Sequence, residues 1–304
     1  WLTEFKVKAH NIGISKKTIS NTLNNVRFLP KVIEYDRYQP EFYEDTSTYI
    51  GKRVTKLKIK QAKFLYSKEE TKINKVEKVF NVEKELLLSL MGIETNFGKY
   101  LGKMDIVSSL STLSFDKRRS AFFTNELLTL LKLVDQKKID PNVLYGSWAG
   151  AFGNFQFMPS TINNYAIDYD NDLSIELKEI DDSFASAANY INKIGWKKNK
   201  PCFYKVKLKD DIPHKYLNTS AKKIINKKKV FFFQQYIKDP VPENFTKNFE
   251  VGIITPDKDI IPDANNLSPA YLVYDNYELI LKWNRSLRFA LAVCTLKNKL
   301  KDDF

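Results

Sequence analysis

Apolar residues recur at helical spacing as far as Ile194 and alternate with polar ones only after Pro201. The first eighty residues read as helical. Ser15 is an N-cap for the periodic segment that follows it, and Pro40 makes an irregular bend of 36–42. A long amphipathic stretch over 54–80 ends in a break at 81–83, and the next helix carries the most apolar run, 86–91. Further helices are expected over 108–115, over 122–137 (closed by Asp140-Pro141), from Pro159 through Tyr165, and over 181–194, stopped by Gly195. Strand-like alternation then covers 203–208, 249–253 and 270–273, punctuated by Pro240, Pro242, Pro256, Pro262 and Pro269. A helix over 284–300 closes the chain. The fold class is α+β, mainly α. The expected organisation is an N-terminal helical domain (1–80), a helical core (81–198), a small inserted β-rich domain (199–280) and a C-terminal helix returning to the core (281–304).

Composition narrows the chemistry. A hydrophobic content of 43% over 304 residues is enough for a real core, and no apolar run approaches a membrane span. The start at Trp1 is not a signal peptide, and no lipid-bearing cysteine stands there. The net charge of +13 attracts polyanions. Its lysines are scattered, however, and arginine forks suited to base readout are few, so a nucleic-acid partner is not expected. Only His10 and His214 occur, neither with a ligand-like partner at helical spacing, which disfavours zinc sites and His-based triads. Cys202 and Cys294 form no CxxC motif and are compatible with one disulfide or with none.

Acid chemistry fits this inventory. Leu87, Leu90 and Met91 lie seven, four and three residues before Glu94, so the apolar helical stripe ends in a carboxylate. Desolvation and the negative end of the helix dipole both favour a protonated carboxyl there, which suits a general acid. Six of the ten glycines fall between Gly92 and Gly153 and crowd the aromatic and amide-rich segment 146–160. Aromatic faces beside short hydrogen-bonding side chains are a mixture that binds sugars.

These segments resemble the lytic murein transglycosylase B family. Gly92-Ile93-Glu94-Thr95-Asn96-Phe97-Gly98 is similar to its G-[IV]-E-[ST]-x-[FY]-G signature. Gly146-Ser147-Trp148-Ala149-Gly150-Ala151 and Gln156-Phe157-Met158-Pro159-Ser160 resemble its GSYAGAMG…QFMPSS block. Asp36-Arg37-Tyr38-Gln39-Pro40-Glu41-Phe42 resembles DRxQPEF, and Ser114-Phe115-Asp116-Lys117-Arg118-Arg119 resembles AFDYPRR. Ala188-Asn189-Tyr190 with Gly195-Trp196 resembles ANYF…GW, and Lys282-Trp283-Asn284-Arg285-Ser286 resembles the YNRS element. The matches run in order from Asp36 to Ser286 and so cover most of the chain.

The resemblance implies a lysozyme-like core that cleaves the β-1,4 bond between N-acetylmuramic acid and N-acetylglucosamine without water and leaves a 1,6-anhydromuramoyl end. Glu94 matches the family's sole catalytic acid and base. Ser147, Gln156, Tyr190, Asn284 and Tyr49 match sugar-cleft positions. Arg118 and Arg119 match a basic pair suited to a lactyl or peptide carboxylate; the local alternative is surface pairing with Asp116. Trp283 and Phe289 stand where the family has tyrosine, and Phe152 replaces a methionine. Asp168-Tyr169-Asp170-Asn171-Asp172-Leu173-Ser174 is similar to the family's EF-hand-like loop, with Asp182 as a later ligand. Asp168, Asp170, Asp172, Ser174 and Asp182 are therefore candidate ligands of a structural calcium. Leu173 occupies the position where a glycine usually makes the sharp turn. No cofactor is required for the reaction. The implied partner is the peptidoglycan glycan strand, met by a monomer in the periplasm of a Gram-negative bacterium, with outer-membrane association open for a longer precursor. The alternatives are a peptidoglycan-binding protein without turnover and a hydrolytic muramidase.

Overall fold

The computed structural model describes residues 1–39, 43–246, 249–258, 260–261, 265 and 267–302. Pro40, Glu41 and Phe42 of the expected bend, and Pro262, lie outside the described residues. The chain divides into two units. One comprises Trp1–Gln39, Leu65–Phe80 and Leu90–Tyr190; the other comprises Pro40–Phe64, Asn81–Ser89 and Ile191–Phe304.

The elements follow the hydrophobic pattern closely. Helices α1 (Leu2–Asn11), α2 (Lys16–Leu23) and α3 (Pro30–Arg37) open the first unit. The Ser15 hydroxyl caps α2 by accepting from the Thr18 N–H at 3.2 Å. After α4 (Thr46–Arg53), α5 (Lys56–Phe80) kinks at Glu69, and α6 (Lys84–Thr95) carries the apolar run. Both α5 and α6 contribute residues to both units. Then come β1 (Met104–Asp105), α7 (Ile106–Phe115), α8 (Ser120–Asp135), β2 (Tyr145–Gly146), α9 (Pro159–Tyr165) and α10 (Ile180–Lys193).

Helix α7 is the centre of the first unit: Ile106 through Ser114 are all buried, against α8 and α3. On a helix buried on every side, polar groups are stabilised where they find partners within the protein; the hydroxyls of Ser109, Ser111 and Ser114 find none among the described residues, whereas two others do. Ser108 and Thr112 do so by accepting the backbone N–H groups of Arg27 (3.1 Å) and Leu29 (3.0 Å). Those bonds dock the segment ahead of α3 onto α7.

The second unit holds the sheet. Strands β3 (Phe203–Val206), β4 (Leu217–Asn218), β5 (Lys228–Lys229), β6 (Glu250–Ile254) and β7 (Ala270–Val273) run in the order β3-β7-β6-β4, with β5 also paired to β6. All pairings are antiparallel except β4 with β6. The apolar side chains Val206, Val251, Ile253 and Leu272 pack with Val230 and Phe233 of the short helix α11 (Val230–Gln234). After α12 (Glu243–Thr246), the chain ends in α13 (Asp275–Trp283) and α14 (Leu287–Lys301).

Two expectations change here. The closing helix expected over 284–300 begins at Leu287, because Ser286 caps it by accepting from the Phe289 N–H at 3.2 Å. A separate helix, α13, precedes it within a stretch read as β-rich. The two cysteines, left open by the sequence, are joined: Cys202–Cys294 closes a separation of 92 residues. Buried charge is paired nearby. Arg288, 2% exposed, donates to Asp257 Oδ1 at 2.8 Å, and the same oxygen accepts from the Thr46 N–H at 2.9 Å.

Candidate active site

Glu94 is the last residue but one of α6 and is partly buried, three residues after Met91 at the end of the buried Leu86–Met91 run. The helix stops because Asn96, Phe97 and Gly98 all take the left-handed conformation (φ 51°, 60° and 77°). The Phe97 N–H turns back to the Met91 carbonyl (3.4 Å), a capping bond of the kind that ends helices. Positive φ at an asparagine and a phenylalanine in succession is costly and persists only where the surroundings hold it.

Thr95 does much of that holding. Its fully buried hydroxyl donates to the Asn154 carbonyl at 2.8 Å and accepts the Gly98 N–H at 3.0 Å. Asn154 is itself fixed: its Nδ2 donates to the Lys178 carbonyl (2.9 Å) and Ser183 Oγ (3.0 Å), and its N–H to the Leu177 carbonyl (2.7 Å). The residue next to Glu94 is thus tied to the centre of 146–160.

A second tie lies a few residues on. Strand β1 pairs with β2, Met104 opposite Gly146. Gly102 (φ +85°) crosses so close that a Cβ would come within 2.0 Å of the Gly146 carbonyl oxygen and 2.6 Å of the Ser147 nitrogen. The motif around Glu94 and the glycine-rich block, read separately in sequence, are therefore one assembly.

Three of the candidate sugar contacts, Ser147, Gln156 and Tyr190, lie in this assembly or pack against it. The Ser147 hydroxyl accepts from the Ala151 N–H at 3.1 Å and is partly buried. Gln156, also at positive φ (50°), donates through Nε2 to the Gly153 carbonyl (3.0 Å) and the Leu101 carbonyl (3.3 Å). Tyr190 is 9% exposed, stacks on Tyr165 with centroids 4.2 Å apart and meets Phe157 edge-on at 6.1 Å. Burial, and after it the neighbouring Tyr165, pushes its phenol up to about 12. Glu126, 4% exposed on α8, anchors the end of the block by accepting from the Ser160 N–H (2.8 Å) and Oγ (2.6 Å) at the start of α9. Sequence reasoning passed over Glu126. Its sign was a carboxylate on the apolar face of 122–137, three residues after Phe123 and four before Leu130.

Arg118 and Arg119 both bind Asp36, a buried carboxylate of α3. The local alternative, side-chain pairing with Asp116, does not occur: Asp116 takes the Arg37 side chain at 3.0 Å and only the backbone N–H of Arg118. Tyr49 and Asn284 belong to the other unit. Tyr49 is 1% exposed, with the Arg53 guanidinium 3.5 Å from its ring centroid. Asn284 is the partly buried C-cap of α13.

The aspartate loop brings three of its candidate ligands together. Carboxylate oxygens of Asp168, Asp170 and Asp182 all lie within 4.8 Å of one another. Asp182 also accepts the Tyr169 N–H (2.7 Å) and the Glu176 N–H (2.8 Å), which joins the loop to α10. Asp172 falls outside that triad and accepts from the Ser174 N–H at 2.8 Å. The Asp170 carboxyl is held above the ordinary range, first by desolvation and then by the charges of Asp172 and Asp182. Leu173 has φ +74° and is 92% exposed, so the residue that replaces glycine does sit in the left-handed region.

Solved structures similar to this mainly helical, lysozyme-like fold include lytic transglycosylases. SltB3 from Pseudomonas aeruginosa, determined in complex with NAG-anhNAM-pentapeptide, superposes with a TM-score of 0.85 at 28% identity, over 99% of this chain and 78% of that one. The Escherichia coli lytic transglycosylase Slt35, solved in complex with calcium, has the same fold, with a TM-score of 0.81 at 24% identity over 99% and 93% of the two chains. Residues 1–298 match the family described as the Transglycosylase SLT domain, and the chain belongs to that family. It is 36% identical over 151 residues to membrane-bound lytic murein transglycosylase B of Escherichia coli K12; the match spans 49% of this chain but only 42% of that relative.

Proposed function

We propose that this protein is a peptidoglycan lytic transglycosylase. One observation carries the reading: Thr95, the residue after Glu94 at the end of the apolar α6 stripe, is tied through its buried hydroxyl to Asn154, in the loop carrying Ser147 and Gln156. Family membership supports the reaction class. Glu94 gives its proton to the glycosidic oxygen as the bond to the muramoyl C1 breaks, so N-acetylglucosamine leaves with a free hydroxyl. The muramoyl acetamide oxygen shields the developing cation at C1, which removes the need for a second carboxylate. Glu94, now a carboxylate, takes the proton of the C6 hydroxyl as O6 closes on C1. The product is the 1,6-anhydro ring, and the enzyme returns to its starting protonation state.

In this reading Ser147, Gln156 and Tyr190 contact the sugars, with Tyr49 and Asn284 assigned the same role by family resemblance. Chemistry is confined to 81–198; 1–80, 199–280 and 281–304 support it. The protein works as a monomer in the periplasm. Asp168, Asp170 and Asp182 suit a calcium ion, since a divalent cation would relieve the crowding of negative charge at Asp170. The ion would be structural, cross-linking the loop to α10, and Asp172 and Ser174 would complete the shell. Calcium titration followed by calorimetry reads this directly; no heat and no rise in Tm removes the ion from the account.

The deciding experiment is Glu94→Gln against purified sacculi, with products identified by mass spectrometry. Wild type should release anhydromuropeptides, and the variant should be slower by about 10²–10⁴-fold, the usual worth of a positioned acid–base group. Reducing ends in the wild-type products would instead make the protein a hydrolytic muramidase. No products at all would make it a binding protein.

A further inference from the structure

A cavity of about 550 Å³ opens in the second unit, between the chain leading into β3 and the end of α14, with Phe245 and Phe249 on a third wall. The disulfide ties two of these walls together. Cys202 stands between Pro201 and Phe203, which line the cavity, and Cys294 is one turn before Lys297 and Asn298, which also line it.

Lys297 is the unusual wall residue. It is 5% exposed, yet its ammonium makes no hydrogen bond among the described residues. Glu83 Oε1 lies 3.5 Å away but already accepts the Asn199 N–H at 2.8 Å, while Glu83 Oε2 accepts from Trp196 Nε1. The Trp196 ring centroid, 5.8 Å off, is the other neighbour. An ammonium carries three donors, and donors without partners in a buried place are costly. Two exposed lysines share the cavity: Lys301, and Lys200, whose Nζ is 5.3 Å from the Phe249 ring centroid. Against Glu83 and Asp302, the three lysines leave one positive charge.

The rest of the wall is amide and aromatic. The side-chain amides of Asn244 and Asn298 have no hydrogen bond among the described residues, and each offers both donors and an acceptor. Phe245 and Phe249 both pack against Tyr274, with centroids 6.2 and 5.5 Å from it, which fixes the rings.

We propose that this cavity binds the C-terminal carboxylate of a short peptide with small apolar side chains. Lys297 meets the carboxylate, the asparagine amides pair with the peptide groups behind it, and the phenylalanine rings cover the side chains. One surplus charge matches one carboxylate and leaves a phosphate dianion under-neutralised. A neutral sugar would use the rings and amides but give Lys297 no counter-charge. Binding here needs no turnover, so it is tested apart from the reaction at Glu94.

The test is calorimetry with N-acetyl-alanyl-alanine and with the same dipeptide as its C-terminal amide. The acid should bind about tenfold tighter than the amide. Glu83→Leu with Lys297→Met removes both buried charges and keeps the interior filled, and it should bring that ratio to about one. Exposed positions give a reading that does not depend on the interior. Lys200→Ala should weaken the acid about threefold and leave the amide unchanged, whereas Asn298→Ala should weaken both by a similar factor. Inorganic phosphate should displace the dipeptide no better than acetate does. Equal affinity for acid and amide, an unchanged ratio in the folded double variant, or wild-type affinities in both exposed variants overturns the proposal. So does the absence of binding at millimolar dipeptide. Phosphate that outcompetes acetate also overturns it, since the cavity would then be a general anion site.

Discussion

Glu83 shows how much one buried carboxylate can organise. It is 4% exposed, just ahead of α6, and accepts from Trp196 Nε1 (2.5 Å) and the Asn199 N–H (2.8 Å), with Lys297 Nζ at 3.5 Å. Removing one member of a buried pair leaves the other charge stranded. Glu83→Ala should cost about 3–5 kcal/mol in denaturant unfolding, while Glu83→Leu with Lys297→Met should cost less than the single change. Tyr190 gives a second residue-scale expectation. Its folded value near 12 lies above the ordinary tyrosine value, so the folded chain keeps the proton longer than the unfolded one. The associated stability, of order 2 kcal/mol, is fully present below pH ~10 and is lost as pH rises through 12. Tyr190→Phe should flatten that alkaline decline in a Tm-versus-pH series. Sequence exposed Glu94, whose cue is local: a carboxylate closing an apolar stripe. It concealed Glu83, Asp36 and Glu126, because their partners stand 113, 82 and 34 residues away and nothing near each acid announces the pairing.

At the scale of elements, the join between the end of α6 and the loop at Asn154 should be sensitive beyond its size. Thr95→Val keeps the shape and removes the hydroxyl that donates to Asn154 and accepts from Gly98. The stranded backbone groups should cost about 1–3 kcal/mol. Turnover of sacculi should fall further than stability explains, read as a lower kcat at a temperature where the variant is fully folded. The aspartate loop makes the opposite case. Leu173→Gly relieves a left-handed leucine, a strain worth about 1–2 kcal/mol, and should raise Tm in calcium even after glycine's added chain entropy. Elements with hard punctuation were legible in full. Helix α9 begins at Pro159, α10 is followed by Gly195 at φ +101°, and β7 covers the expected 270–273. Helix α13 was not, because Asp275–Trp283 follows a strand with no glycine or proline between them and its apolar positions merge with those of β7. The parallel pairing of β4 with β6 was also out of reach, since strand order is fixed by contacts that two-residue strands do not encode.

For the whole molecule, the charge of +13 on a lysine-rich surface predicts salt-sensitive action on an anionic wall. Raising ionic strength from about 0.01 M to 1 M shortens the screening length from about 30 Å to 3 Å, so kcat/KM on sacculi should fall steadily across that range. The Cys202–Cys294 link has a different consequence, one that concerns topology. It turns the stretch between these residues, which contains every strand of the sheet, into a covalent ring of chain. A protease that cuts that ring once leaves a single molecule of unchanged mass apart from one water. Two fragments should separate on a gel only after a thiol reductant is added.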